Sequence, residues 1–183
     1  MKRATLATLL VTVLLIATAG IAFASVQNYR AHLSGRFEIP MLVDTQAEGQ
    51  AIFQLSEDGK SLTYQLNAAN IDNVFMAHIH LFPASGTGNG PIVVWLYPTT
   101  PFTPSQTVPP ASWISGRFDG VLAKGTITAD NLVGPLAGMS LDKLVAEIEA
   151  GHTYVNIHTS DFVLPANTGP GDFPGGEIHG MIH

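Results

Sequence analysis

The sequence has no cysteine. That absence excludes zinc–thiolate sites, cysteine nucleophiles and iron–sulfur clusters, and leaves the fold without disulfides. Any metal must be held by His, carboxylate, Met or main-chain oxygen. Positive charge is scarce as well, with 8 Lys and Arg against 14 Asp and Glu in 183 residues. Two of those eight, Lys2 and Arg3, stand at the extreme N-terminus, so the remainder of the chain is near −8 with neutral histidines. Nucleic acid is excluded as a partner by this balance, because phosphate recognition needs a basic footprint. Charge-driven binding to an anionic membrane is excluded for the same reason.

Long apolar runs are absent after the first 24 residues. Within those 24, Lys2 and Arg3 precede an apolar run from Leu6 to about Ala17, and Ala22-Phe23-Ala24 fits a small-residue cleavage site. The pattern predicts a signal peptide over 1–24, with an uncleaved N-terminal anchor as the alternative, since Ala4 to Ala24 approaches spanning length. Residues 25–183 then form one exported domain, long enough to bury a sizeable core without disulfides. The expected location is secreted, periplasmic or at the cell surface, with no membrane contact beyond the N-terminal segment.

What is present is short-range alternation. Strands are expected from about Val26 to Leu33, ending near Pro40 at a sheet edge, and from Gln50 to Leu55. Asp58-Gly59 has the chemistry of a hairpin turn into Leu62, Tyr64 and Leu66. Asn67 to Asn73 reads as a polar connection, and Val74 to Phe82 as the next strand. Ile92 to Tyr97 is uniformly apolar, as for a central strand buried on both faces. Pro98 to Pro110 is too rich in proline for regular structure. Trp113 to Ile127, Thr153 to Thr159 and Glu177 to Ile182 are further strands. One helix is expected, with Ser140 as N-cap, Leu141, Leu144, Val145 and Ile148 on one face, and Gly151 at its end. Short strands at turn-separated intervals, with one helix in a crossover, predict an all-β antiparallel sandwich, Greek-key and immunoglobulin-like or superoxide-dismutase-like.

Alternation places Met76, His78 and His80 on one strand face, with Phe75, Ala77 and Ile79 on the other. It places Tyr154, Asn156 and His158 opposite Val155 and Ile157. Glu177, His179, Met181 and His183 share a third face. A His-x-His pair on a strand can reach one ion, and imidazole suits copper or zinc. The candidate ligands are therefore His78, His80, His158 and His179, with Met76, Glu177, Met181 and His183 as possible additions. The competing reading is a hydrogen-bonded polar sheet face that binds no metal. His32 and His152 flank turns and are expected at the surface. Gly86-x-Gly88-x-Gly90 lacks the lysine and helix of a phosphate loop. No EF-hand spacing and no nucleophile elbow occur.

Glu38-Ile39-Pro40, Ala77-His78-Ile79-His80, Asn89-Gly90-Pro91-Ile92-Val93-Val94, Tyr154-Val155-Asn156-Ile157-His158-Thr159 and Gly176-Glu177-Ile178-His179-Gly180 occur in that order. Together they resemble the CHRD domain, named for the repeated domain of chordin and common in secreted bacterial and archaeal proteins. The resemblance runs from about Tyr29 to His183 and implies an antiparallel β-sandwich. It implies no particular activity. Where the family usually ends in Gly-Glu-Ile-Arg-Gly-Gln, this chain has His179 and Met181, which replaces a fixed cation and an amide by metal-capable side chains. Leu81-Phe82 stands where a glycine is usual.

The expected function is a non-catalytic extracellular or periplasmic binding module. It meets an extracellular protein or surface partner and holds one copper or zinc ion through strand histidines. The alternatives are a copper-dependent redox enzyme with a superoxide-dismutase-like site and a purely structural cell-surface domain. The redox alternative rests on fold analogy, and the second metal cluster of such enzymes is missing.

Overall fold

The computed structural model describes residues 27–38, 41–83 and 89–183. The segment read as a signal peptide or anchor lies outside these residues, as do Ile39, Pro40 and Gly86 to Gly88. Seven strands and one helix follow in order: β1 (Asn28–Ser34), β2 (Glu48–Leu55), β3 (Leu62–Leu81), β4 (Ile92–Tyr97), β5 (Ile114–Ile127), α1 (Leu141–Glu149), β6 (Thr153–Thr159) and β7 (Ile178–Met181). Every pairing between them is antiparallel. Among the described residues no helix is long and apolar enough to cross a membrane.

The organising element is β3, 20 residues long. Along one edge its first half pairs with β2, from Leu62↔Leu55 to Ala69↔Glu48. Along the same edge its second half pairs with β6, from Val74↔Thr159 to Leu81↔Thr153. The path from β2 through β1 and β7 to β6 completes the circuit. Five strands thus close into a barrel, while β5 and β4 extend the sheet from the opposite edge of β3. This corrects the expected sandwich: there is one all-β sheet curled on itself rather than two packed sheets. The physical cause is the length of β3, which lets it change partners midway.

The change of partner falls on the stretch read from sequence as a connection. Asn70 and Asn73 there have positive φ, 55° each, a region asparagine tolerates better than most residues. The β3–β5 register shifts between Ala68 and Ile71 and again between Asp72 and Val74. Such bulges bend and twist a strand without ending it. Asn73 is pinned from both sides: its Oδ1 accepts from the Gly116 N–H at 2.8 Å, and its Nδ2 donates to the Gly171 carbonyl at 3.2 Å.

Two strand positions also differ from expectation. β1 is not at an edge, because it lies between β2 and β7. β4 is not central. It pairs with β3 on one side, and on the other, among the described residues, has no strand partner beyond the Val94↔Leu132 bridge and a hydrogen bond from the Val133 N–H to the Val93 carbonyl.

The barrel interior is the apolar core. It takes Leu33, Phe53, Leu66, Ala77, Ile79, Val155, Ile157 and Ile178, all buried. Leu141, Leu144 and Ile148 of α1 join it at helical spacing. Gly151, at φ 71°, ends the helix and donates its N–H to Ile148. Ser140 stands at the N-cap with extended backbone, but its side chain caps nothing.

With Ala77, Ile79, Val155 and Ile157 turned inward, their neighbours must face outward. That outer face is not wet. The chain from 160 to 177 and the proline-rich stretch fold over it, and Phe75, Met76 and Phe162 form a second small core there, with Trp95, Phe102 and Trp113 against it. Phe75 was expected on the opposite face. The irregularity between Val74 and Met76 in the β3–β6 register breaks the alternation, and its ring meets Phe162 at 5.5 Å and His158 at 6.3 Å.

Candidate metal centre

The register builds the outer face as a grid. Met76 lies across from His158, His78 from Asn156 and His80 from Tyr154. On the far side of β6, Asn156 lies across from His179 and Tyr154 from Met181. Six of these eight side chains are polar or aromatic groups at most 4% exposed.

Three histidines converge. One ring nitrogen from each of His78, His80 and His158 lies within 4.8 Å of the other two. The closest approach is His78 Nδ1 to His158 Nε2, at 3.3 Å. Two nitrogens held tetrahedrally by one ion at roughly 2.0–2.1 Å stand about 3.3 Å apart. The third nitrogen is within reach after a modest side-chain adjustment.

The outward nitrogens are fixed by carbonyls. His80 Nδ1 lies 2.8 Å from the Gly90 carbonyl, and His158 Nδ1 lies 3.0 Å from the Pro174 carbonyl. A carbonyl only accepts, so both Nδ1 atoms carry the proton and both Nε2 atoms present a lone pair. This is the arrangement by which proteins fix the tautomer of ligating histidines. His80 Nε2 and His78 Nε2 are buried with no hydrogen-bond partner in the protein, a cost that buried polar groups rarely bear.

Electrostatics favour the ligand form. Burial, then the imidazoles of His158 and His80, push His78 far below the ordinary value of 6.5. Burial pushes His80 down to about 4, with the Gly90 carbonyl opposing and His179 adding slightly. Burial and then His80 push His158 down to about 3. All three are neutral at pH 7, as a metal-binding imidazole must be. The walls are aromatic: Trp95 meets His78 edge-on at 4.2 Å, and Tyr154 stacks on His80 at 5.0 Å and 8°.

The other expected ligands lie apart from this cluster. His179 is buried, but its Nδ1 faces Glu38 Oε2 at 3.6 Å, beyond the ring of Tyr154. Glu177, fully buried, accepts from Thr45 Oγ1 and Thr159 Oγ1 at 2.6 Å each and from the Gly171 N–H at 2.9 Å. It anchors the covering chain through these three hydrogen bonds and is not part of the converging histidine group. Met181 is exposed. His183 is also exposed, and its main chain pairs with Arg30. Met76 is buried directly across from His158 and is the thioether best placed near the cluster. His152 is exposed and paired with Glu147 at 2.9 Å, and His32 is exposed on β1.

Sequence reasoning missed the carbonyls of Gly90 and Pro174, which carry no side-chain signature. It gave Asn156 only a hydrogen-bonding role toward nearby main chain, whereas its side-chain Oδ1 and Nδ2 have no hydrogen-bond partner in the protein. A larger surface cavity, about 490 Å³ beside Glu48, Gly49, Ala68 and Val121, lies elsewhere on the barrel and gathers no convergent ligating groups.

No curated protein matches the chain. The profile of the CHRD domain matches residues 29–165, a span that takes in His78, His80, Asn156 and His158 and stops short of Glu177 and His179. That match covers well over half of the sequence, and the chain belongs to the CHRD domain family.

Proposed function

We propose that this CHRD-domain protein is an exported, non-catalytic binding module that holds one copper or zinc ion on His78, His80 and His158. The observation that carries the reading is the convergence of three buried imidazoles, two of them oriented by main-chain carbonyls so that their lone pairs face inward. Three nitrogen ligands with a thioether beside them suit copper, and three nitrogens alone suit zinc. Export to the periplasm or cell surface is supported by the N-terminal pattern and by the company the family keeps. The physiological partner is then an extracellular protein or surface component.

Elemental analysis tests this reading. The protein should be purified without metal-affinity resin, beside a His78→Ala/His80→Ala double variant. Near-stoichiometric copper or zinc in the parent, absent from the folded variant, is expected. A parent that is metal-free and takes up neither ion leaves a purely structural surface domain. The redox-enzyme reading is favoured by one observation, the ligand set of three, which leaves a coordination position open. A bound ion that keeps one oxidation state under mild reductant and oxidant removes it.

A further inference from the structure

We infer that the ion on His78, His80 and His158 keeps one position for a small exogenous oxygen or nitrogen donor, water or hydroxide at rest, and that Asn156 hydrogen-bonds this donor. The inference rests on the metal reading above and deepens it, by saying what completes the coordination shell.

Asn156 sits at the centre of the grid. His78 and His179 flank it across the two strand neighbours, and Tyr154 and His158 flank it along β6. Its side chain is completely buried, yet neither Oδ1 nor Nδ2 has a hydrogen-bond partner in the protein. An amide in that state offers one acceptor and two donor hydrogens to the buried strand face. Buried polar side chains are almost always satisfied, by protein or by a bound small molecule. The neighbouring side chains do not serve: His158 is committed to Pro174, and the Tyr154 hydroxyl accepts from the Gly90 N–H. The three converging imidazoles leave the fourth place of a tetrahedral ion without a histidine, since His179 faces Glu38 instead. A coordination vacancy and an unsatisfied amide therefore adjoin on one strand face, and one small donor satisfies both.

The covering chain sets the size of that donor. Gly176, at φ 132°, lies against the Asn156 amide, and a Cβ there would come within 2.5 Å of Nδ2. Only glycine lets the chain close over the amide, and little volume remains beneath it. Gly176 also lines a cavity of about 270 Å³ with Glu38, Asn89 and Phe173. Gly176 is thus the one residue shared by this cavity and the cover over the Asn156 amide.

Azide and copper(II) are the probes. Protein loaded with one equivalent of copper(II) is titrated with azide and followed by the azide-to-copper charge-transfer band and by electron paramagnetic resonance. Saturable azide binding is expected in the parent. In Asn156→Leu, which keeps the volume and removes the amide, copper stays stoichiometric and azide binds on the order of tenfold to a hundredfold more weakly. Asn156→Ala carries the same expectation if the leucine variant does not fold. Independently of any variant, pulsed resonance of the parent in D2O should reveal the strongly coupled deuteron of a copper-bound water or hydroxide, distinct from the weakly coupled Nδ1 deuterons of His80 and His158. Stoichiometric copper that ignores azide and lacks that deuteron overturns the inference and leaves the metal reading standing. Azide binding in the folded variants equal to the parent removes the role of Asn156. A protein that binds no copper fails on the metal reading itself.

Discussion

His78 Nδ1 and His158 Nε2 lie 3.3 Å apart although 80 residues separate them in the chain. The contact exists because β3 and β6 are paired in a fixed register, with His78 across from Asn156 and therefore diagonal to His158. An ion bridging them binds the folded state and not the unfolded chain, so it must stabilise the fold. At a free concentration 100 times the dissociation constant the gain is about 2.7 kcal/mol. For a chain of this size that raises Tm by roughly 5–10 °C. Calorimetry with and without copper or zinc should show this rise in the parent and its near-complete loss in His80→Ala. An equal rise in both proteins would place the ion elsewhere.

Acid should weaken the metal-free protein. In the unfolded chain the histidines take up protons near 6.5, whereas folded His80 does so only near 4 and His158 only near 3. Between those values the unfolded state binds more protons, so stability falls as pH falls. The contribution is complete above pH 6.5 and is lost as the pH drops through about 4. Urea midpoints of metal-free protein should therefore decline from pH 7.5 to pH 4.5. The same series in His80→Ala and His158→Ala should decline less. A midpoint flat across that range in the parent would contradict the buried, neutral state of these imidazoles.

How far the sequence reached depends on the range of the interaction. Period-two alternation was enough to put His78 with His80, and Asn156 with His158, on outward faces, because that relation is local. The long Leu62–Leu81 strand reads as two in the sequence because the polar residues from Asn67 to Asn73 mimic a loop. In the fold, Asn70 and Asn73 absorb the bend in the left-handed region while strand pairing continues on either side. Phe75 was misplaced because a single bulge reverses the parity of alternation. Barrel closure is a relation among β2, β3 and β6 that no local pattern encodes. Burial of the histidine face was equally hidden, since it depends on Phe102, Trp113 and Phe162 returning from distant loops.

Glu177 separates a structural carboxylate from a ligating one. Its oxygens accept three hydrogen bonds from Thr45, Thr159 and Gly171. Hydrogen bonds to a charged acceptor contribute about 1.5–3 kcal/mol each. Glu177→Gln converts one acceptor to a donor facing hydroxyl or amide donors, so a loss of about 2–4 kcal/mol in urea unfolding is expected. The metal content of the folded fraction should stay stoichiometric, because the carboxylate touches none of the three histidines. Loss of the ion with little loss of stability would instead make Glu177 a ligand.

Gly90 tests whether the carbonyl that orients His80 matters to the ion. A Cβ at this position would stand 1.6 Å from the Leu81 carbonyl oxygen, which is main chain and cannot swing aside. Gly90→Ala must therefore displace the loop outside the barrel. Displacement carries the Gly90 carbonyl away from His80 Nδ1 and the Gly90 N–H away from the Tyr154 hydroxyl. The barrel core, built from Ala77, Ile79, Val155 and Ile157, does not include this loop. The variant should fold with a stability loss of about 1–3 kcal/mol. Its metal affinity should fall about 10- to 100-fold, as when the outer partner of a ligating histidine is removed. Competition titration against a chelator of known affinity reads this directly, with His152→Ala, whose ring pairs with Glu147 at the surface, as the control expected to match the parent. Parent-like affinity in Gly90→Ala would mean that the tautomer of His80 is set by the ion alone.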